Sequence, residues 1–261
     1  MVEVKIAQLS KRDRQERILG QLNNDITVRI SSLAEYFNVS TETIRRDIDS
    51  LTEKGKAKRT YGGAASISLT GEPGILQRRQ TNINEREKIA GYAVSLIDPG
   101  DVLMIDSGST TAHFARALTT RPMKLTILTN CFPVAQILGD ISLFHIVVCP
   151  GTYNASENGV YGHETTAFLN RFHANKTLIS AGGITKSHVT EADANASWIK
   201  RKMIQRSEQV LLLLDHSKFD RPLFDTVCSW SEISDLIVDE KPSESMHRYL
   251  QKSQVKIHIA K

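Results

Sequence analysis

The chain has 261 residues, 40% hydrophobic and 24% charged, which describes a folded globular protein of one small and one ordinary domain rather than a disordered chain. No run of about 18 apolar residues marks a membrane span, and the opening MVEVKIAQLSKRDRQ lacks the apolar segment and cleavage site of a secretion signal. The formal charge of +4 sits toward the front, where residues 1–70 hold 12 Lys+Arg against 9 Asp+Glu while the other 191 hold 21 against 20, a mild bias in the direction nucleic-acid binding requires.

Arg12 to Leu22 reads as a first helix, with Ile18, Leu19 and Leu22 on one side. A second is expected from Ser32, because Ser32 and Glu35 have capping-box spacing and Leu33, Ala34 and Phe37 form an apolar stripe. Asn38-Val39 is a tight turn. Ser40 then N-caps a third helix from Thr41 to about Lys54, with Gly55 at its C′ position. Ile44, Ile48 and Leu51 face its core, which leaves Thr41, Glu42, Arg45, Arg46 and Asp49 outside. Hydroxyls and two arginines on the first turns of a helix are what a helix-turn-helix reader sets against base edges and phosphates in the major groove. Lys56, Lys58 and Arg59 precede Tyr61-Gly62-Gly63, and Gly-Gly between two short extended runs predicts a hairpin: a basic wing. Charges on a short helix are usually only a solvated face. Three helices, a capped third one, a Thr/Arg surface and a basic wing in sequence favour DNA instead.

Ser66 to Pro73 breaks both periodicities and reads as a linker. Residues from Ile75 to Leu96 are expected to form one helix, with Ile89, Ala93 and Leu96 apolar and Arg78, Arg79, Arg86 and Lys88 solvated. Beyond Asp98, short apolar runs (Val102–Asp106, Leu125–Thr129, Phe144–Cys149, Thr177–Ser180, Val210–Leu214, Leu236–Val238, Val255–Ile259) alternate with helical stretches. That order predicts an α/β domain with a doubly wound parallel sheet, whose ligands sit at the carboxyl ends of the strands. The expected division is 1–66 for the winged helix-turn-helix, 67–97 for linker and connecting helix, and 98–261 for the α/β domain.

The strand ends hold the candidate ligand residues. Asp106-Ser107-Gly108-Ser109-Thr110-Thr111 runs from a strand into a helix, and small hydroxyl residues and glycine at a helix N-terminus suit an anion. Thr129-Asn130, Pro150-Gly151-Thr152 and Asp215-His216-Ser217-Lys218-Phe219 close other strands, and Lys218 offers a positive charge to a phosphate. Cys131, Cys149 and Cys228 match no zinc or redox spacing and read as reduced thiols of a cytoplasmic protein. The eight histidines show no H-x-x-x-H pair, so no metal or other cofactor is expected.

The stretch S-T-E-T-I-R-R-D-I-D-S-L-T-E-K-G, followed by R-T-Y-G-G-A, resembles the winged-helix signature of the DeoR family of bacterial sugar-metabolism transcriptional regulators. The second half is similar to the same family through I-D-S-G-S-T-T, L-T-N, Gly151 with Gly162, A-G-G-I and D-H-S-K-F. The resemblance implies operator contacts by Ser40, Thr41, Thr43, Arg45 and Arg46 in the helix and by Lys56, Arg59, Tyr61 and Gly62 in the wing. It implies an effector domain similar in fold to ribose-5-phosphate isomerase and glucosamine-6-phosphate deaminase. There Ser107, Gly108, Ser109, Thr110, Thr111 and Lys218 would hold a phosphate, with Asp106, Asn130 and Gly151 lining the sugar end. Two positions depart from the family pattern: Pro150 stands where a first glycine is common, and His188 where a glycine precedes the hydrophobic-Thr pair.

The expected function is a transcriptional repressor that binds double-stranded operator DNA as a homodimer or homotetramer, with a phosphorylated sugar as effector and no membrane association. The alternative is a sugar-phosphate isomerase or deaminase with an added DNA-binding domain. It requires a carboxylate base, and Glu191, Asp193 and Asp215 are its candidates by loop position.

Overall fold

Three helices and a small antiparallel sheet form the first of two units into which the chain divides, Met1–Glu72 and Pro73–Lys261. The computed structural model describes residues 9–24, 27–54, 57–60, 62–66, 75–78, 81–155 and 157–261.

In the first unit, helix α1 (Lys11–Asn24), strand β1 (Thr27–Arg29), helices α2 (Ile30–Phe37) and α3 (Thr41–Glu53), and strands β2 (Ala57–Thr60) and β3 (Gly63–Ser66) follow in order. The sheet order is β1-β3-β2, antiparallel throughout. Ile18, Leu33, Phe37, Ile44, Ile48 and Leu51 meet in one core, as the 3.6-residue spacing requires. Helix α2 starts two residues before the expected Ser32. Its N-cap is Arg29, without a side-chain cap, so the expected Ser32–Glu35 capping box is not what starts it. Strand β1, which sequence reading missed, feeds straight into this helix.

The second unit opens with α4 (Ile75–Arg78) and α5 (Ile83–Ser95). The single helix expected over Ile75 to Leu96 is two, because Asn82 adopts a left-handed backbone (φ 51°) ahead of α5. The α/β part then runs β4 (Val102–Ile105), α6 (Ser109–Leu118), β5 (Leu125–Thr129), α7 (Phe132–Gly139), β6 (Phe144–Val148), β7 (Thr152–Asn154), β8 (Gly159–Tyr161), α8 (His163–Leu169), β9 (Ala174–Ile179), β10 (Gly183–Ile184), β11 (His188–Glu191), α9 (Ala194–Gln205), β12 (Ser207–Leu214), β13 (Asp225–Ser229), β14 (Asp235–Val238), α10 (Glu244–Lys252) and β15 (Lys256–Ile259).

Seven strands form the main sheet in the order β15-β14-β12-β9-β4-β5-β6, and every pair in it is parallel. Helices cover both faces. Leu103 and Ile105 pack with Ile89, Ala93, Phe114 and Leu118, while Met104, between them on β4, packs with Leu169, Ile199 and Met203. Strands buried on both faces read as unbroken apolar runs, as Leu211–Leu214 does. Strands β10-β11-β13 make a separate antiparallel sheet, and β7 and β8 a hairpin. None of these five was expected. Among the described residues no helix is long and apolar enough to cross a membrane.

Candidate nucleic-acid interface and effector site

Helix α3 begins as the sequence requires. Ser40 is extended (φ −68°, ψ 151°) and its hydroxyl accepts from the Thr43 amide at 3.1 Å, a cap worth about 0.5–2 kcal/mol. Thr43 Oγ1 lies 2.9 Å from Ser40 Oγ, so both hydroxyls hold the helix start while Thr41 stands exposed beside them. Arg45 and Arg46 are 53% and 77% exposed, each within 4 Å of Glu42. Exposed ion pairs of this kind are weak and exchange readily for a stronger anion.

On the inner side, Asp47 is buried against Arg14 at 2.5 Å and Gln15 Nε2 at 3.3 Å, fixing α1 across α3. Arg59 donates to Asp49 at 2.7 Å and so joins β2 to α3, a pair the sequence reading did not foresee. Gly62 turns the hairpin at φ 82°, a conformation that favours glycine. Lys56, Gly55 and Tyr61 lie outside the described residues.

In the second unit, four adjacent strands, β12, β9, β4 and β5, end one residue before Asp215, Ser180, Asp106 and Asn130. All four side chains are buried, so the carboxyl edge of the sheet is a dense polar layer. Asp106 lies 2.9 Å from Lys200 Nζ on α9, and Lys200 lies 3.1 Å from Glu191 on β11. Burial pushes the Asp106 carboxyl up to about 6, against the pull of Lys200. Burial alone would weaken the Lys200 ammonium, but Asp106 and Glu191 hold it above its ordinary range.

The Asp106–Thr111 turn is closed rather than open. Ser107 shares a hydrogen bond with the Tyr161 hydroxyl, and a side chain at Gly108 would collide with Ser180 Oγ. Thr111 donates to the carbonyls of Asp106 (2.9 Å) and Gly108 (3.1 Å), so its hydroxyl shapes the turn. Ser109 and Thr110 are buried at the start of α6. Asn130 Nδ2 donates to the Val160 carbonyl at 3.0 Å, while its buried Oδ1 has no hydrogen-bond partner among the described residues. Gly151, at φ 149°, lies against Thr165 and Tyr161, a step away from the turn. Lys218 is buried beside Asp215 in a short 3-10 turn, His216–Lys218. Burial works to raise the Asp215 carboxyl, but Ser217, Arg86, Lys218 and Asn82 together hold it below its ordinary value.

Two expectations are corrected. Arg86, expected in solvent, is buried, its Nε and guanidinium nitrogens 3.3 and 3.2 Å from Asp215 Oδ2. Arg78 is largely buried and pairs with Glu157. Lys88 is exposed as expected, and Arg79 lies outside the described residues. His188 is exposed at the start of β11. Of the three candidate bases, Glu191 pairs with Lys200, Asp193 caps α9 through the Asn195 amide at 2.8 Å, and Asp215 pairs with Arg86. Sequence reading missed Lys200. Its signal was a lysine in register with Ala196, Ile199 and Met203, the buried stripe of α9.

Comparison with known proteins places both units. Residues 14–70 match the DeoR-like helix-turn-helix domain, and residues 81–240 the DeoR C terminal sensor domain. The HTH-type transcriptional regulator IolR of Bacillus subtilis is 32% identical over 90% of this chain and 93% of its own. The HTH-type transcriptional repressor CsqR of Escherichia coli is 30% identical over 97% of both chains. The E. coli glycerol-3-phosphate regulon repressor is 29% identical over 96% of this chain and all of its own. Among solved structures, ribose 5-phosphate isomerase A from Methanocaldococcus jannaschii aligns with a TM-score of 0.41 and 16% identity over 53% of this chain and 55% of that one. With a helix-turn-helix reader in front and a sensor domain behind, the chain belongs to the DeoR family of transcriptional regulators.

Proposed function

We propose that this regulator represses a carbohydrate-metabolism operon and is released from its operator by a phosphorylated sugar. The observation that carries the DNA half is the capped helix α3, which holds Arg45 and Arg46 in solvent beside a wing turned at Gly62. In this reading Thr41, Arg45 and Arg46 meet the major groove, Ser40 and Thr43 set the helix start against the backbone, and Lys56, Arg59 and Tyr61 reach flanking phosphates. A homodimer or homotetramer would present two such helices to a palindrome.

The effector half rests on the polar layer at the sheet's carboxyl edge. The Ser107–Thr111 turn would offer amides and hydroxyls to a phosphate, with Lys218 as its cation. Asp106 and Asn130 would face the sugar, and Asn130 Oδ1 is a buried acceptor for a hydroxyl donor. Gly151 would border this end. Relatives named for glycerol-3-phosphate and L-fucose regulation support a carbohydrate-derived effector. The engagement of Glu191, Asp193 and Asp215 in pairs and caps supports binding without turnover.

Two measurements test the two halves. On a duplex selected from a random pool, Arg45→Ala and Arg46→Ala should each cost about 1–3 kcal/mol of affinity and flatten the salt dependence. Unchanged affinity in both would remove α3 as the reader. In a thermal-shift screen, at least one of glucose 6-phosphate, ribose 5-phosphate and glycerol 3-phosphate should raise Tm with the logarithm of concentration. The unphosphorylated sugars should not, and Lys218→Ala should lose most of the response. A shift that survives Lys218→Ala would sink the phosphate assignment.

A further inference from the structure

The two corrected arginines belong to one arrangement. Arg78 ends α4, the first described element after residues 67–74, the part of the chain in which the division between the two units falls. It pairs with Glu157 in the turn between β7 and β8, the two side chains being only 12% and 21% exposed. The strand that follows that turn closes over the candidate site: a side chain at Gly159 would meet Ser107 Cβ at 2.9 Å and Oγ at 3.0 Å, and Tyr161 bonds Ser107. Arg86, on α5, pairs with Asp215, which caps the turn carrying Lys218. Asn82, in its left-handed conformation, adds a hydrogen bond to Asp215 Oδ1 at 2.9 Å. A second guanidinium nitrogen of Arg86 donates to the Arg78 carbonyl, joining the two ends. Arg78, Asn82 and Arg86 therefore fasten this part of the chain to both walls of the closed polar site.

We propose that this stretch is a strap through which the state of the effector site reaches the segment leading from the DNA-binding unit. This rests on the effector reading above for what opens the site, but not for the strap itself. A ligand entering at Ser107 must displace Tyr161 and the β7–β8 hairpin, and with them Glu157. A phosphate drawing on Lys218 alters the charge next to Asp215, and so the hold on Arg86 and Asn82. Either event changes the anchoring of Arg78 and α5 at the end of the chain that continues into residues 67–74. Coupling of this kind requires a physical element that both sites bias, and two largely buried ion pairs on one short stretch provide it.

Hydrogen–deuterium exchange of the 261-residue chain tests this, first without any ligand. Glu157→Gln should speed exchange of the 81–90 amides about tenfold, while the amides of β9 and β12 stay as they are. The swap Arg78→Glu/Glu157→Arg should bring 81–90 back to within about twofold of wild type. If Glu157→Gln leaves exchange at 81–90 unchanged, the strap is overturned, whatever any ligand does. The second arm adds glucose 6-phosphate, ribose 5-phosphate or glycerol 3-phosphate at saturation. A probe that alters exchange at 107–111 should also alter it at 81–90 in wild type and not in Glu157→Gln. An effect confined to 107–111 in wild type overturns the strap. Absence of any effect at 107–111 with all three probes counts against the effector reading instead.

Discussion

Lys200→Met should destabilise the 73–261 unit by about 3–5 kcal/mol at pH 7.5, a fall in Tm of roughly 10 °C for a unit of this size. The substitution keeps an unbranched side chain, one atom shorter, and removes its charge. Asp106 and Glu191 are then left in a site from which water is excluded, without the ammonium that lies 2.9 and 3.1 Å from them. The loss should depend on pH. Even with Lys200 present, the Asp106 carboxyl is pushed up to about 6 by burial; without Lys200 it rises further. A carboxyl whose folded pKa exceeds its unfolded one binds its proton more tightly in the folded state. Its contribution is complete below the unfolded value and is lost as pH rises through the folded one. The deficit of the variant should therefore shrink as pH falls from 7.5 to 5.5, because Asp106 takes up a proton rather than remaining a bare buried charge. Chemical denaturation of wild type and variant at the two pH values measures this. A deficit under about 1 kcal/mol, or one equal at both pH values, would show that the Asp106–Lys200–Glu191 cluster does not hold this edge of the sheet together.

The parallel sheet was legible because its strands are apolar on both faces: Leu211–Leu214 can only be a buried strand or a buried helix turn, and its place between helical stretches decides for the strand. Ser40 was legible for a local reason, since a cap acts within three residues. The missed pieces share a different physics. Strands β7, β8, β10, β11 and β13 are short and partly polar: β7–β8 and β10–β11 are local hairpins too brief to show a period of two, and β13 depends on β11, a partner that no window of sequence contains. The expected cap at Ser32 lost to β1, whose pairing with β3 fixes Arg29 and starts α2 early.

Arg86 is the instructive error. It stands three residues before Ile89 and seven before Ala93, on the buried stripe of α5, yet its charge argued for solvent. Periodicity recorded the burial; what it did not record was Asp215, 129 residues later, which makes that burial tolerable. The same holds at Lys200. In both cases a charged residue in register with an apolar stripe was the visible sign of a buried ion pair, and its partner became visible only with the fold. The candidate effector residues were legible as strand-end residues, but their closure by Tyr161 and Ser180 was not, because those side chains arrive from other strands.

Arg86→Leu should cost the 73–261 unit about 3–5 kcal/mol, because the Arg86 and Asp215 side chains are 2% and 0% exposed and the change takes from the carboxylate the guanidinium that pairs with it, leaving Lys218 as the cation beside it. Asp215→Asn alone should also destabilise, by leaving the guanidinium buried and unpaired while its amide oxygen still accepts from the Ser217 backbone. The double variant Arg86→Leu/Asp215→Asn removes both charges and retains that cap. It should be less destabilised than the sum of the singles by about 1–3 kcal/mol. Additivity of the two singles would mean that the pair is a contact without energetic coupling. The pH dependence runs opposite to that at Asp106. The Asp215 carboxyl is held below its ordinary range, so its contribution is complete above the unfolded carboxylate pKa and disappears as pH falls below about 4. In Arg86→Leu the Asp215 carboxylate keeps Ser217, Lys218 and Asn82, which go on holding it down, so between pH 7.5 and 5.5 the penalty of Arg86→Leu should change much less than that of Lys200→Met, which declines. Equal pH slopes in the two variants would contradict the assignment of Asp106 as the raised carboxyl and Asp215 as the lowered one.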